Sequence, residues 1–181
     1  MNRRHFVLMG SSALASALLP LPVLARRYLS LEQAQKLMFA DQGLQAVEVT
    51  LTPEQSLQIE QASGVSVRVP ELSAWRSSDG GWFLVDEVIG KHEYITWALA
   101  LEPSGAVRQV EILDYRESYG GEVRNRRWRE QFEGSTASQL PRFKEEIQNI
   151  SGATLSCSHL TEGVRRLLAT HDLVLKHLAT S

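Results

Sequence analysis

Residues 82–113 read WFLVDEVIGKHEYITWALALEPSGAVRQVEIL, in which three apolar runs are separated by two short turns. The turns are marked by Gly90-Lys91-His92 and Pro103-Ser104-Gly105, which contain residue types that favour tight reversals of the chain. Residues 107–113 alternate apolar and polar side chains with the period of two that a half-buried strand shows. The stretch therefore predicts an antiparallel β-meander, because consecutive strands joined by short turns pair with one another.

Two helices and another strand are expected before the meander. The first helix is predicted over residues 30–40, with Ser30 as its cap. The second begins after Thr52, with proline in its first turn, and ends near Gly64. Alternation over residues 65–69 predicts a strand between this helix and the meander.

The segment after the meander is predicted to be helical. One helix is expected near residues 122–132 and a short one through Phe143 and Ile147. A long helix is expected over about residues 158–179, because it carries one apolar stripe of residues three or four apart: Leu160, Val164, Leu167, His171, Val174 and Leu178. The predicted class is α+β, with an antiparallel β-meander packed against helices and a long C-terminal helix.

The N-terminus has the composition of an export signal. Arg3 and Arg4 precede an uncharged, moderately apolar run over residues 6–24, which is followed by Ala25. Glycine, serine and proline interrupt the run, so it makes a poor membrane span and is expected to be cleaved as a signal over residues 1–25. Residues 2–8, NRRHFVL, resemble the twin-arginine motif, with an ordinary secretory signal as the alternative. We expect a periplasmic protein, membrane-associated only if the signal stays uncleaved.

Charge and cysteine content exclude several classes of protein. The net charge is −2, and no basic stripe or recognised nucleic-acid motif is present, so no nucleic-acid partner is expected. Cys157 is the only cysteine, which excludes an internal disulfide, a zinc site made of thiolates and a Cys-x-x-Cys-His haem attachment. The histidines of the last helix lack the spacing of metal ligands, so no metal site is expected.

The chemistry is expected at Ser151-Gly152-Ala153-Thr154, immediately before the long helix. Free N–H groups and the helix dipole at a helix N-terminus favour a phosphate group, and small residues let a ligand approach the backbone. A phosphate ester on the Thr154 hydroxyl would be well placed there. The alternative is that these residues form only a turn and a helix cap, without any ligand.

This motif, followed by a small residue and an amphipathic helix, resembles the flavinylation motif of the FMN-binding domain family. That family includes the FMN-carrying subunits of sodium-pumping NADH:quinone reductases and of related ion-motive complexes. The resemblance implies that a flavin transferase takes FMN from FAD and joins its phosphate covalently to Thr154. Gln148 stands where the family motif has aspartate, and the carboxylates of Glu145 and Glu146 lie nearby in the sequence.

Residues 117–121, Glu-Ser-Tyr-Gly-Gly, resemble the glycine loop that borders the flavin in the same family. The resemblance implies that these two segments bind the cofactor through eight residues: Glu117, Tyr119, Gly120, Gly121, Ser151, Gly152, Ala153 and Thr154. Gly120 and Gly121 could equally form a bare turn. Trp82, Trp97 and Trp128 could stack on the flavin ring, although such residues are more often part of the core.

The resemblance covers residues 80–169 and implies an FMN-binding domain over residues 71–181, after an N-terminal region, residues 26–70, of no assigned role. It implies an electron carrier without acid–base catalytic residues, which exchanges electrons with membrane or periplasmic redox proteins. Two alternatives stay open, namely a flavin-dependent periplasmic reductase of a small acceptor and a cofactor-free periplasmic binding module.

Overall fold

The computed structural model describes residues 26–40, 42–117 and 120–178. The described residues form one antiparallel sheet in the order β1-β6-β5-β4-β3-β2. Its strands are β1 Arg26–Arg27, β2 Leu44–Thr50, β3 Glu71–Ser77, β4 Trp82–Ile89, β5 Tyr94–Leu101 and β6 Val107–Tyr115. The α-helices within these ranges are α1 Leu31–Phe39, α2 Pro53–Ser63, α3 Arg126–Arg129 and α4 Thr154–Leu173. The expected export signal lies outside the described residues.

The predicted meander and the α+β class are confirmed. β4 pairs with β5 from Trp82↔Leu101 to Ile89↔Tyr94, and β5 pairs with β6. The meander extends further than predicted, because β2 and β3 continue the same consecutive order. Both early helices are also confirmed, since Ser30 and Thr52 each form a capping box with the glutamine three residues later.

The strand predicted over residues 65–69 is wrong. That segment makes no strand pairing; instead, Val67 N–H donates to the Glu60 carboxylate at 3.0 Å. The ladder starts only after Pro70, which has no N–H to donate, and runs through β3. Alternation of side chains marks an extended chain, but it does not by itself supply a pairing partner.

Both short helices predicted after the meander are corrected by the structure. The segment over residues 122–132 is broken at Asn125, which has extended dihedrals and accepts a hydrogen bond from Arg127 N–H at 3.0 Å, so that α3 is flanked by two 3-10 turns. The segment through Phe143 and Ile147 is a turn in which Lys144 adopts φ 68°. α4 begins earlier than predicted, at Thr154, and it also ends earlier, because Val174 leaves helical dihedrals.

The core lies between the sheet and α4. Leu160, Val164 and Leu168 of α4 are fully buried together with Trp97 of β5. A Cβ atom at Gly163 would lie 2.7 Å from Cζ2 of Trp97, so glycine at this position lets the helix approach the sheet closely. The helix that carries the predicted attachment residue is therefore fixed along its length by the sheet.

Residues on both sides of the expected boundary at residue 70 join this core. Ile59 of α2 and Leu84 of β4 belong to the same buried cluster. The opposite face of the sheet is partly covered by α1, whose Ala34 and Phe39 pack on Phe83. Among the described helices, none combines the length and the hydropathy that crossing a membrane requires.

Candidate functional site

Thr154 is the first residue of α4, and its side chain is exposed. Ala153 precedes it at the cap position and provides no side-chain hydrogen bond to the first turn of the helix. The first regular helical bond runs from Cys157 N–H to Ala153 C=O at 2.9 Å. Thr154 is therefore an exposed residue at the positive end of a helix of 20 residues.

The rest of the motif forms a tight turn. Ala153 N–H donates to Ile150 C=O at 3.0 Å, which closes the turn in front of the helix. Gly152 has φ 84°, and a Cβ atom built on it would meet nothing within 4 Å. Ser151 and Gly152 are exposed, whereas Ala153 is buried. The turn thus leaves open space on the outer side of Gly152, two residues before Thr154.

Gly120 packs directly against this turn. It has φ 83°, and a Cβ atom there would lie 3.1 Å from Ala153 Cβ and 2.7 Å from Tyr115 Oη. Gly121 follows as the first residue of a 3-10 turn, Gly121–Arg124. The structure therefore brings the predicted glycine loop and the predicted attachment motif together at Gly120 and Ala153. Tyr119 lies outside the described residues.

The side chain of Glu117 contacts the turn between β4 and β5. Its carboxylate accepts hydrogen bonds from the backbone N–H groups of His92 and Glu93, the latter at 3.0 Å. Burial alone would raise the pKa of Glu117, but the backbone donors of this turn outweigh it and hold the pKa below the usual value. The carboxylate is engaged within the protein, and the flavin contact implied for Glu117 stays a prediction.

Beneath the motif lies a small buried group made of Tyr115, Ser156 and Cys157. The Tyr115 and Ser156 hydroxyl oxygens are 3.4 Å apart, and Cys157 is fully buried in the core. Burial raises the pKa of the Cys157 thiol, so the reactive thiolate is disfavoured. This cysteine packs under the site and does not present a nucleophile to a ligand.

A groove of about 510 Å³ opens beside the motif, between the 3-10 turn and the segment that leads to Ser151. Ile150, whose carbonyl closes the turn at Ala153, forms the wall nearest the motif. The residues that line the groove are Glu122, Asn125, Arg127, Trp128, Gln131, Gln148 and Ile150. Of the tryptophans proposed for stacking, Trp128 lines this groove, while Trp82 and Trp97 are buried in the core.

The backbone at Gln148, where the family motif has aspartate, is held from both sides. Trp128 Nε1–H donates to Gln148 C=O at 2.7 Å, and Gln148 N–H donates to Gln131 Oε1 at 2.9 Å. Gln131 Nε2 in turn donates to Trp128 C=O at 2.9 Å. The segment that enters the motif is therefore fixed to α3 and the 3-10 turn after it by hydrogen bonds to the main chain of residue 148, which do not depend on the side chain of that residue.

Sequence reasoning missed the groove residues Asn125, Arg127 and Gln131. They belong to a segment predicted as one continuous helix, and only the break at Asn125 turns these side chains toward the motif. Within the ranges that the structure describes, no group of three or more His, Cys, Asp or Glu side chains is placed to hold a metal ion. His159 contacts the Ile89 carbonyl oxygen at 2.6 Å.

Comparison with known families connects this geometry to a cofactor. Residues 90–169 match the model of the FMN-binding domain family. The matched segment contains both the glycine loop at Gly120 and the motif that ends at Thr154. No curated protein matches the sequence. The family resemblance expected from the sequence is confirmed over residues 90–169, which are similar to the FMN-binding domain family.

Proposed function

We propose that this protein is an exported electron carrier in which FMN is joined through a phosphoester to Thr154. The coarse part of this function, a flavin-binding electron-transfer module, follows from the family of residues 90–169. The observation that carries the finer part is the exposed Thr154 at the N-terminus of α4, four residues after Ile150, which lines a groove of about 510 Å³.

The surroundings of Thr154 fit a phosphate group. The uncapped N–H groups of the first turn of α4 are donors for phosphate oxygens, and the helix dipole favours negative charge at the same place. Gly152 is exposed and has no atom within 4 Å of the position of a Cβ, which leaves room on the outer side of the turn. Thr154 is also an exposed residue, so an enzyme can reach it.

The groove fits a flat ring system. Trp128 supplies an aromatic wall and Ile150 an aliphatic one, while the charged groups of the lining, Arg127 and Glu122, provide hydrogen-bonding partners. Leu155, next to Thr154, leaves 46% of its surface exposed and adds apolar area beside the attachment residue. The flavin ring supplies the electron transfer when bound, and these residues hold it and shield it from water.

The attachment step requires a flavin transferase and FAD. The Thr154 oxygen gives up its proton and forms a bond to the phosphorus atom on the FMN side of the FAD pyrophosphate. The bond between that phosphorus atom and the AMP oxygen breaks, and AMP leaves with the electron pair. No electron is gained or lost by the flavin, so the step needs no oxidant or reductant.

A covalent link suits a protein that works outside the cytoplasm. Arg3, Arg4 and the apolar run that follows them support export, and free FMN could not readily replace a lost cofactor there. A phosphoester prevents that loss. We therefore propose that the natural electron donors and acceptors are membrane or periplasmic redox proteins.

Intact mass and the visible spectrum of protein co-expressed with a flavin transferase test this proposal. We expect the wild-type chain to gain about 440 daltons and a flavin spectrum, and Thr154→Val to lose both. Ser158→Ala is the matched control, because it removes a hydroxyl one turn further along α4 and should keep the adduct. A colourless, unmodified wild-type protein would contradict the proposal and favour the cofactor-free module.

A further inference from the structure

The wall of the groove carries a concentration of arginine. Residues 124–129 read RNRRWR, and three of their four arginines are engaged within the chain. Arg124 donates to Gly121 C=O at 2.9 Å, Arg126 pairs with Glu130 at 2.7 Å, and Arg129 pairs with Glu111 at 2.8 Å. These three guanidinium groups are held by the fold or by a neighbouring carboxylate.

Arg127 differs from them. Its backbone N–H caps α3 through Asn125 Oδ1 at 3.0 Å, while its side chain is exposed and lines the groove. As far as the structure describes the chain, the guanidinium of Arg127 has no hydrogen bond and no ion pair. It is therefore an uncommitted cation at the edge of the groove that we assign to the flavin ring.

The other polar groups of the groove are less available for a ligand. Both ends of the Gln131 amide are used, one by Gln148 N–H and the other by Trp128 C=O. The Asn125 oxygen caps α3, and Glu122 supplies the carboxylate of the lining. A guanidinium is planar and offers several donors, which suits the row of carbonyl and ring-nitrogen acceptors along one edge of a flavin.

We infer that Arg127 donates to this acceptor edge of the flavin ring and raises its reduction potential, an inference that rests on the proposed function. Reduction makes the ring richer in electrons, and a neighbouring cation lowers the free energy of the more negative state. Because Arg127 is exposed, solvent and salt screen its charge, and the effect is moderate. We expect a contribution of about tenfold to the equilibrium constant for reduction, which is about 30 mV for a two-electron couple.

The test compares the midpoint potentials of flavin-loaded wild type, Arg127→Gln and Arg126→Gln, each equilibrated with a reference dye. Arg126 is the matched control, since it is exposed on the same short helix but is paired with Glu130. The inference expects a potential lower by about 30 mV in Arg127→Gln, a smaller difference at high salt, and no change in Arg126→Gln. Equal thermal melts for the three proteins establish that folding is unaffected.

Equal potentials in Arg127→Gln and Arg126→Gln would overturn the role of Arg127 while leaving the flavin carrier intact. A wild-type chain that carries no flavin would overturn the proposed function, and the inference with it. The intact mass separates these two failures before any potential is measured.

Discussion

Gly120 links the two predicted segments of the site at the scale of single residues. Its positive φ of 83° is one that other residues adopt only with strain. The space where a Cβ would stand is also filled, by Tyr115 Oη at 2.7 Å and Ala153 Cβ at 3.1 Å. Glycine is needed here both for the positive φ and for the close contact with neighbouring atoms. A bare turn would explain the positive φ but not the close contact.

Gly120→Ala should therefore destabilise the protein by about 2–4 kcal/mol, from backbone strain plus overpacking. Gly134→Ala is the control, because Gly134 has φ 80° but no atom within 4 Å of its Cβ position. Gly134→Ala should destabilise the protein by only about 1 kcal/mol, which is the contribution of backbone strain alone. Urea denaturation measures both free energies of unfolding, and equal losses would show that close contact with Tyr115 and Ala153 contributes nothing.

The part of the site that could be predicted from sequence consists of contiguous residues. Thr154 and its neighbours stand in one short motif directly before an amphipathic helix, so sequence alone could place the hydroxyl at a helix N-terminus. Gln131 and Arg127 could not be found in this way. They are polar residues without a motif, and they face the groove only because Asn125 ends one turn and caps the next.

At the scale of elements, Arg129 of α3 joins the wall of the groove to the sheet. Its Nε donates to Val110 C=O at 2.8 Å, and its Nη2 pairs with Glu111 at 2.8 Å. Both side chains of this pair are almost fully buried. Among the described strands, β1 pairs with β6 only at Asp114 and Tyr115, beyond this point. The guanidinium thus covers part of the strand edge and neutralises a buried carboxylate.

Arg129→Leu should cost about 3–5 kcal/mol, because it leaves the Glu111 carboxylate buried without its partner. Arg129→Leu combined with Glu111→Leu should recover much of that loss, since the double variant buries no unpaired charge. Thermal and urea unfolding of the single and double variants measure the difference. A single variant as stable as wild type would show that the pair contributes little to the attachment of α3.

The elements that sequence predicted are those with local signals. Ser30 and Thr52 begin helices with complete capping boxes, and the meander has turn residues between strongly apolar strands. β2 was not predicted from the sequence. Only Val49 of its residues is buried, so the strand has no strong alternation of buried apolar and exposed polar side chains. The segment over residues 65–69 shows the opposite case, in which alternation occurs without a partner strand.

At the scale of the whole molecule, the C-terminal part of α4 couples folding to pH through His171. The ring is buried against the β5–β6 turn, where a Cβ at Gly105 would lie 2.6 Å from it. Burial holds the pKa of His171 below its ordinary value of 6.5, and the charges of Lys176, Arg76 and His177 act in the same direction, against Asp172.

The unfolded chain therefore binds this proton more readily than the folded one. Stability should fall as pH drops below about 6.5 toward the lowered pKa of the folded state, and it should be fully present above that window. Free energies of unfolding at about pH 7.5 and about pH 5.5 test this. His171→Gln should lose less stability than wild type over that interval, with the exposed His177→Gln as control; equal losses in both variants would contradict it.

Localisation of the flavin adduct within the chain tests directly whether FMN is joined to Thr154. Trypsin cleavage after Lys144 and Arg165 releases residues 145–165, which contain five hydroxyl side chains: Ser151, Thr154, Ser156, Ser158 and Thr161. Fragmentation of this peptide from protein co-expressed with a flavin transferase reports which of them carries the flavin phosphate. We expect the added mass on Thr154 alone. The added mass on another hydroxyl, or an unmodified peptide, would contradict it.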